Sequence, residues 1–143
     1  MTSPTVSAVL FDLDGTLIDT APEFIHIGLQ LRAEAGLPPI DAKTIWHSVS
    51  NGAIGMVEAA LEMPADDPAF EQWRQRFLTL YETGLGDLSH PYPGLPELVA
   101  GLDKARIAWG VVTNKLARFA LPLMDKMPFD PAAGAVVTPD HVN

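Results

Sequence analysis

Residues 9–16 read VLFDLDGT and join an apolar segment directly to two carboxylates. The apolar run Val6–Phe11 predicts a buried parallel strand, because it is short and rich in branched and aromatic side chains. In open α/β sheets, ligands bind at the carboxyl ends of the strands. Asp12 and Asp14 follow this strand and are therefore candidate functional residues. Gly15 predicts a sharp turn, since it has no Cβ to clash.

Composition narrows the classes of ligand that the chain can bind. A net charge of −9 disfavours nucleic acid, whose phosphates select basic surfaces. An acidic protein that binds an anionic phosphate needs a mediating cation, which favours a divalent metal. The absence of cysteine excludes disulfides and thiolate zinc sites. No signal peptide or membrane-spanning segment is recognised, so we expect a cytoplasmic protein that does not bind membranes.

The segment after the first strand carries only helical patterns, over residues 19–86. Its opening, Thr20-Ala21-Pro22-Glu23, has the form of a capping box and predicts the start of a helix with Pro22 in the first turn. The turn at residues 47–52 is a candidate specificity element, because exposed loops often carry binding residues. Its polar or flexible members are His47, Ser50, Asn51 and Gly52. A stiff connector at residues 90–94 ends the helical segment.

Strand patterns return in the last third of the chain. A helix over residues 95–105 precedes Ile107–Val112, which predicts a second buried strand. Pro122 interrupts the next helical pattern, so we expect that helix to begin near Phe119, with Pro122 in its first turn. A third strand is predicted at Ala135–Val137.

This order of elements predicts an α/β fold. Residues 1–16 and 89–143 are expected to form a partial Rossmann-like core with a parallel sheet, and residues 17–88 an inserted α-helical cap. Because the insert begins at the tip of the first strand, we expect it near the carboxyl ends of the strands, as a lid would be.

Two motifs resemble those of the haloacid dehalogenase-like phosphohydrolases. The sequence FDLDGTLIDT at residues 11–20 is similar to the first motif of that family. Residues 110–114, GVVTN, resemble the second motif, an apolar strand that ends in threonine or serine. The continuation into Lys115 gives a Thr-Asn-Lys variant similar to the phosphoglycolate-phosphatase-like branch. We interpret Lys115 itself as more typical of a solvated cation than of a site residue.

The resemblance implies a role for each motif residue. Asp12 is implied as nucleophile and metal ligand, because a carboxylate can attack phosphorus to form an aspartyl phosphate. Asp14 is implied as the acid/base, with its main-chain carbonyl on the metal. The Thr113 hydroxyl would bind the transferring phosphoryl group, and Asn114 and Gly15 are further candidate substrate-binding residues. The implied cofactor is Mg²⁺, which prefers oxygen ligands.

The activity implied is magnesium-dependent hydrolysis of a small phosphorylated metabolite. Two substrates fit the resemblance, 2-phosphoglycolate and N-acetylmuramic acid 6-phosphate, and composition does not choose between them. A phosphoglucomutase-like transfer is a lesser alternative, since it shares the first motif. Nothing in the sequence indicates an oligomeric state.

Two further motifs of the family, a lysine and a late acidic pair, are not recognised in these 143 residues. The chain therefore resembles the first part of the family, as a C-terminally truncated member would. One alternative function is accordingly a catalytically inactive fragment or partner-binding remnant. We also expect weak Mg²⁺ binding and an open edge on the first strand, because family strands that would pair with that edge are not recognised either.

Overall fold

A computed structural model describes residues 5–142, so the first four residues of the predicted core and Asn143 lie outside the described range. The chain divides into a core unit, residues 1–19 and 90–143, and an insert unit, residues 20–89. Strands and helices alternate in the core unit. In chain order the elements are β1 (Ala8–Phe11), β2 (Ile18–Asp19), α1 (Ala21–Glu34), α2 (Ala42–Trp46), α3 (Gly52–Leu61), α4 (Phe70–Thr83), β3 (His90–Pro91), α5 (Leu95–Lys104), β4 (Ala108–Val112), α6 (Ala117–Lys126) and β5 (Val136–Val137), with 3₁₀ turns at Val49–Asn51 and Pro139–His141.

The core unit contains a parallel sheet in the order β1-β4-β5, as the α/β prediction requires. Ala8 lies opposite Ala108 and Phe11 opposite Val111, while Val111 also lies opposite Val136. This register brings the carboxyl ends of β1 and β4 side by side. The residues that follow both strands therefore share one edge of the sheet.

The first strand is shorter and less buried than its sequence predicts. It begins at Ala8 rather than Val6, and the side chain of Leu10 is 64% exposed, whereas Val111 on β4 is fully buried. The cause is position, because within residues 5–142 β1 pairs with β4 alone and is an edge strand. The prediction of a buried strand is wrong, and the expectation of an open edge is confirmed.

Close backbone approach explains the glycine in the middle of β4. A Cβ on Gly110 would lie 2.9 Å from the carbonyl oxygen of Ala135 and 3.2 Å from the Leu10 side chain. The main chain leading into β5 thus packs where a side chain would otherwise stand. Any larger residue at position 110 would push the two strands apart.

The insert unit is helical, as its sequence predicts. Helices α1, α3 and α4 pack around a core of large apolar side chains, which are Ile27, Leu31, Met56, Val57 and Phe77. The flanks of this segment differ from the prediction, because Ile18–Asp19 pairs antiparallel with His90–Pro91 in the core unit. The expected helical segment from residue 19 and the expected connector at residues 90–94 thus each contribute a short strand.

The predicted capping box at the start of α1 is not formed. Thr20 occupies the N-cap position but makes no side-chain cap hydrogen bond, while Pro22 lies in the first turn as expected. Glu23 is only 3% exposed and accepts hydrogen bonds from the Gly86 N–H, at 2.7 Å, and from the Ser89 hydroxyl. Its carboxylate thus joins the two ends of the insert unit, because a buried acidic group needs donors that only tertiary structure supplies.

The helix after β4 also begins earlier than predicted. Helix α6 starts at Ala117, so Pro122 lies in its interior rather than in a first turn that starts at Phe119. The Asp140 carboxylate, 23 residues further along the chain, accepts the Ala117 N–H at 3.0 Å. This N–H lies in the first turn of α6 and has no partner within the helix. This distant cap stabilises the early start, although Pro122 cannot donate to the carbonyl of Arg118.

Among the residues that the structure describes, no helix is long and apolar enough to cross a membrane.

Candidate active site

The motif after β1 forms a tight loop held by main-chain hydrogen bonds. Leu13 is fully buried, and its carbonyl accepts the N–H groups of Leu17 at 3.0 Å and Ile18 at 3.1 Å. Gly15 has a φ of 76° and donates its N–H to the Ile18 carbonyl at 2.9 Å. Its glycine-favouring conformation is the predicted turn, while its part in substrate binding stays a prediction.

The two candidate carboxylates have different surroundings within this loop. Asp12 is exposed, and its Oδ1 accepts the Leu13 N–H at 2.8 Å. The side chain of Asp14 is 36% exposed, and its Oδ1 lies 2.8 Å from the Lys115 ammonium. Asp12 is thus open to an incoming ligand, whereas Asp14 is already held by a cation. Different environments of this kind suit two carboxylates to different chemical tasks.

The second motif lies at the end of β4, beside the first. Thr113 is 6% exposed and donates its N–H to the Val137 carbonyl at 3.0 Å, which extends the β4–β5 pairing by one residue. Its hydroxyl oxygen accepts the Lys115 N–H at 3.1 Å. A hydroxyl that accepts through its oxygen keeps its proton for donation. Thr113 can therefore donate a hydrogen bond to an anion at the sheet edge.

Lys115 is the residue that sequence reasoning assigned least well. Its side chain is 7% exposed and ion-paired with Asp14, so the interpretation as a solvated cation is wrong. Asn114 is exposed, and its substrate-binding role stays a prediction. Besides the Thr-Asn-Lys resemblance, the sequence signal for Lys115 is its position three residues after the end of β4, next to the carboxylate loop. That signal depends on strand pairing, which the sequence alone does not fix.

Asp140 is a second residue that the sequence does not single out. Both of its carboxylate oxygens accept the Ala117 N–H, at 3.0 and 3.3 Å. This contact joins the segment after β5 to the first turn of α6, directly after the Thr113 loop. Local sequence gives no indication of it, because the two partners are far apart along the chain.

The oxygen ligands at this edge are of the type that Mg²⁺ prefers, but they are few. Asp12 and Asp14 supply carboxylate and main-chain oxygens. Residues 5–142 contain no group of three or more His, Cys, Asp or Glu side chains that could hold a metal ion. The donor types therefore fit a divalent cation, but the described residues do not by themselves form a complete set of ligands.

The predicted specificity loop lies in the insert unit, between α2 and α3. His47 ends α2, and the Ser50 hydroxyl lies 3.5 Å from the His47 carbonyl. Asn51 closes the 3₁₀ turn, and Gly52 adopts a φ of 64°. Trp46, immediately before the loop, is 55% exposed and makes an edge contact with the His47 ring. The loop thus combines polar groups with an exposed aromatic ring.

Two curated phosphatases are similar to this chain in sequence, one at higher identity than the other. The chain is 49% identical over 137 residues to an N-acetylmuramic acid 6-phosphate phosphatase of Pseudomonas aeruginosa, a match that covers 96% of this chain and 61% of that protein. It is 39% identical over 135 residues to a phosphoglycolate phosphatase of Agrobacterium fabrum, covering 89% of this chain and 56% of that protein. The chain thus spans about three fifths of the length of these curated relatives.

Solved structures share the fold at lower identity. The crystal structure of a predicted phosphoglycolate phosphatase from Haemophilus somnus superposes with a TM-score of 0.78 at 22% identity, covering 96% of this chain and 64% of that one. CbbY from Rhodobacter sphaeroides, solved with phosphate, gives a TM-score of 0.67 at 20% identity, with coverage of 96% and 65%. The profile described as haloacid dehalogenase-like hydrolase matches residues 9–143. This chain therefore belongs to the haloacid dehalogenase-like hydrolase family.

Proposed function

We propose that this chain hydrolyses a small phosphate monoester through an aspartyl phosphate on Asp12. The observation that carries the proposal is the meeting of two motif loops at one sheet edge, joined by the 2.8 Å contact between Lys115 and Asp14. Relatives that are 49% and 39% identical are named phosphatases, which supports the hydrolytic outcome over a phosphoryl mutase. The same comparisons do not favour a partner-binding remnant without catalytic activity.

Asp12 is the proposed nucleophile. An oxygen of its exposed carboxylate would attack phosphorus, forming the new oxygen–phosphorus bond as the bond to the leaving group breaks. The Leu13 N–H, bonded to Oδ1, would fix the rotamer and leave the second oxygen to react. Asp14 would give its proton to the departing oxygen and later take one from the attacking water.

Thr113 and a divalent cation would offset the negative charge of the phosphoryl group. The threonine hydroxyl has a proton to donate, because its oxygen already accepts the Lys115 N–H. The Asp12 carboxylate and the Asp14 main-chain carbonyl would hold the cation, for which we propose Mg²⁺. When bound, the cation would neutralise phosphoryl oxygens and orient them for attack.

N-acetylmuramic acid 6-phosphate is the preferred candidate substrate, and 2-phosphoglycolate is the second. The higher identity to the phosphatase named for the former supports this order. We also propose that residues 17–88 act as a cap that recognises the leaving group, with His47, Ser50 and Asn51 among the contacts. A polar loop beside the exposed Trp46 ring suits a sugar better than a two-carbon acid.

A phosphate-release assay tests the proposed function. The chain would be incubated with Mg²⁺ and each of the two candidate substrates, with Asp12→Asn and buffer as controls. We expect slow release above buffer, faster for the muramic acid ester, and none from Asp12→Asn, since an amide is a poor nucleophile. Equal release from the chain and from Asp12→Asn would contradict the proposal.

A further inference from the structure

We propose that Lys115 is a positioning residue for catalysis, because it fixes the carboxyl group of Asp14 for proton transfer. This inference rests on the proposed function and goes beyond it, since the proposed steps need only Asp12, Asp14 and Thr113. Its physical basis is one ion pair between two loops that are 101 residues apart in sequence.

The burial of Lys115 argues that its ammonium group has a defined position. A lysine on a loop ordinarily extends into solvent, because ordering its long side chain costs conformational entropy. Here the side chain is 7% exposed and the Nζ–Oδ1 distance is 2.8 Å. Burial of a lysine needs a partner of opposite charge, and Asp14 supplies it. The contact is therefore built into the fold rather than formed by chance at the surface.

The backbone of the second motif supports this placement. The Lys115 N–H donates to the Thr113 hydroxyl at 3.1 Å, so the main chain of Lys115 is held as well as its side chain. Two residues later, the Ala117 N–H is bonded to Asp140. The lysine thus projects from a loop that is fixed at both ends.

The expected consequence is specific to the step in which Asp14 acts. Asp14 carries a proton on Oδ2 when the ester binds and gives it to the ester oxygen while the bond from phosphorus to that oxygen breaks. It is left as a carboxylate whose Oδ1 contacts the Lys115 ammonium, and the water that later attacks the aspartyl phosphate returns a proton to it. A cation fixed at that point orients the carboxyl group and stabilises its charge. Phosphoryl transfer to Asp12 from an ester whose leaving group needs no proton should depend little on Lys115. The later attack of water on the aspartyl phosphate also uses Asp14 and is the same for every ester, so only the first step distinguishes the esters.

Two phosphate esters distinguish positioning of Asp14 for proton donation from a general effect of Lys115 on the site. 2-Phosphoglycolate releases an alkoxide, which requires a proton, whereas p-nitrophenyl phosphate releases a stabilised phenolate, which does not. We expect Lys115→Met to lower the rate of phosphoryl transfer to Asp12, measured as leaving-group release in a single turnover, by about 10–100-fold for 2-phosphoglycolate and by less than about threefold for p-nitrophenyl phosphate. Lys115→Arg, which keeps a cation, should recover part of the difference. Lys104→Met, at an exposed lysine of α5 in the same unit, is the matched control and should leave both rates unchanged.

Equal losses on both esters, or no loss on either, would overturn the proposal. A double-mutant cycle with Lys115→Met and Asp14→Asn measures the ion pair without an activity assay, because urea unfolding gives the free energy of unfolding of each variant. We expect the double variant to lose less unfolding free energy than the sum of the losses in the two single variants. Additive losses would also overturn the proposal, because they mean that no pair forms. If the unchanged chain releases no phosphate while the cycle shows coupling, the proposed function has failed and the ion pair is structural.

Discussion

At the scale of single residues, the site depends on groups whose hydrogen-bonding capacity is already partly used. Thr113 accepts one N–H and keeps one proton, and Asp12 accepts one N–H and keeps one oxygen. Such half-satisfied groups at a sheet edge are prepared for a ligand without rearrangement. We propose that a phosphoryl group binds between these two side chains.

A prediction at Thr113 follows from this arrangement. Thr113→Val removes the donated hydrogen bond with little change in shape, and we expect phosphate release to fall by about 10–100-fold, as for the loss of a bond to a charged group. Thr113→Ser keeps the hydroxyl and should retain most of the activity. The measurement is steady-state release from the preferred substrate. A valine variant as active as the serine variant would remove the hydroxyl from the mechanism.

Sequence predicted that Asp12, Asp14 and Thr113 follow strand ends better than it predicted the environment of Lys115, and the chemical roles of all four stay predictions. Asp12, Asp14 and Thr113 follow apolar runs, and a strand end is recognisable from local pattern alone. Lys115 looks like an exposed cation in sequence because its partner, Asp14, lies in another loop. Ion pairs between distant segments depend on strand register, which local patterns do not encode.

At the scale of elements, long-range polar contacts decide where helices begin and which helices are joined. Sequence correctly predicted that the insert is helical, and it correctly placed the strands β4 and β5, because apolar periodicity dominates there. It misplaced the start of α6 and the partners of Glu23, because Asp140 and Ser89 lie far away in sequence. Local rules for capping fail where a tertiary partner competes for the same group.

An ion pair between α1 and α4 gives a testable pH dependence. The Arg76 guanidinium donates two hydrogen bonds to Glu34, at 2.8 and 2.9 Å, and with a further bond from Gln30 lowers the pKa of Glu34 to about 2. A lowered folded-state pKa means that this stabilisation is present above the ordinary value of 4.5 and is lost as the pH falls toward 2.

Glu34→Gln isolates this contribution. Because the pair is partly exposed, we expect the variant to lose about 0.5–1 kcal/mol of unfolding free energy at pH 7. The difference from the unchanged chain should shrink between pH 4.5 and 2, as followed by urea unfolding. Glu82→Gln, at an exposed glutamate of α4, is the control and should change the unfolding free energy less at pH 7. A constant difference at all pH values would contradict the assignment.

The loop between α2 and α3 gives a prediction about specificity. If residues 47–52 contact the leaving group, Ser50→Ala or Asn51→Ala should change the ratio of rates among N-acetylmuramic acid 6-phosphate, 2-phosphoglycolate and an aryl phosphate. The ratio is informative because a loss of stability lowers all three rates together. Equal losses on all three esters would mean that the loop is an ordinary helix connection.

At the scale of the whole chain, the exposed side of β1 is the main structural liability. Its outer edge leaves backbone donors and acceptors unpaired within residues 5–142, beside the exposed Val6 and Leu10 side chains. Open edges with apolar side chains promote association between chains. The insert unit, whose helices rest on local contacts, should be unaffected.

Association and hydrogen exchange test this prediction. We expect amides of residues 6–11 to exchange early, those of the buried faces of α1, α3 and α4 to be protected, and the chain to associate as its concentration rises. Leu10→Lys should reduce association, as charged side chains do on natural edge strands. A monomeric chain with strong protection across Val6–Phe11 would show that the edge is covered in solution.

The proposed mechanism requires Asp12 to carry the phosphoryl group during turnover. The most direct measurement is acid quenching of the chain during reaction with its substrate, followed by peptide mass spectrometry. We expect a phosphoryl group on the peptide that contains Asp12, removable by hydroxylamine and absent from Asp12→Asn. Phosphate release with no phosphoryl group on Asp12, or with the group on another residue, would contradict it.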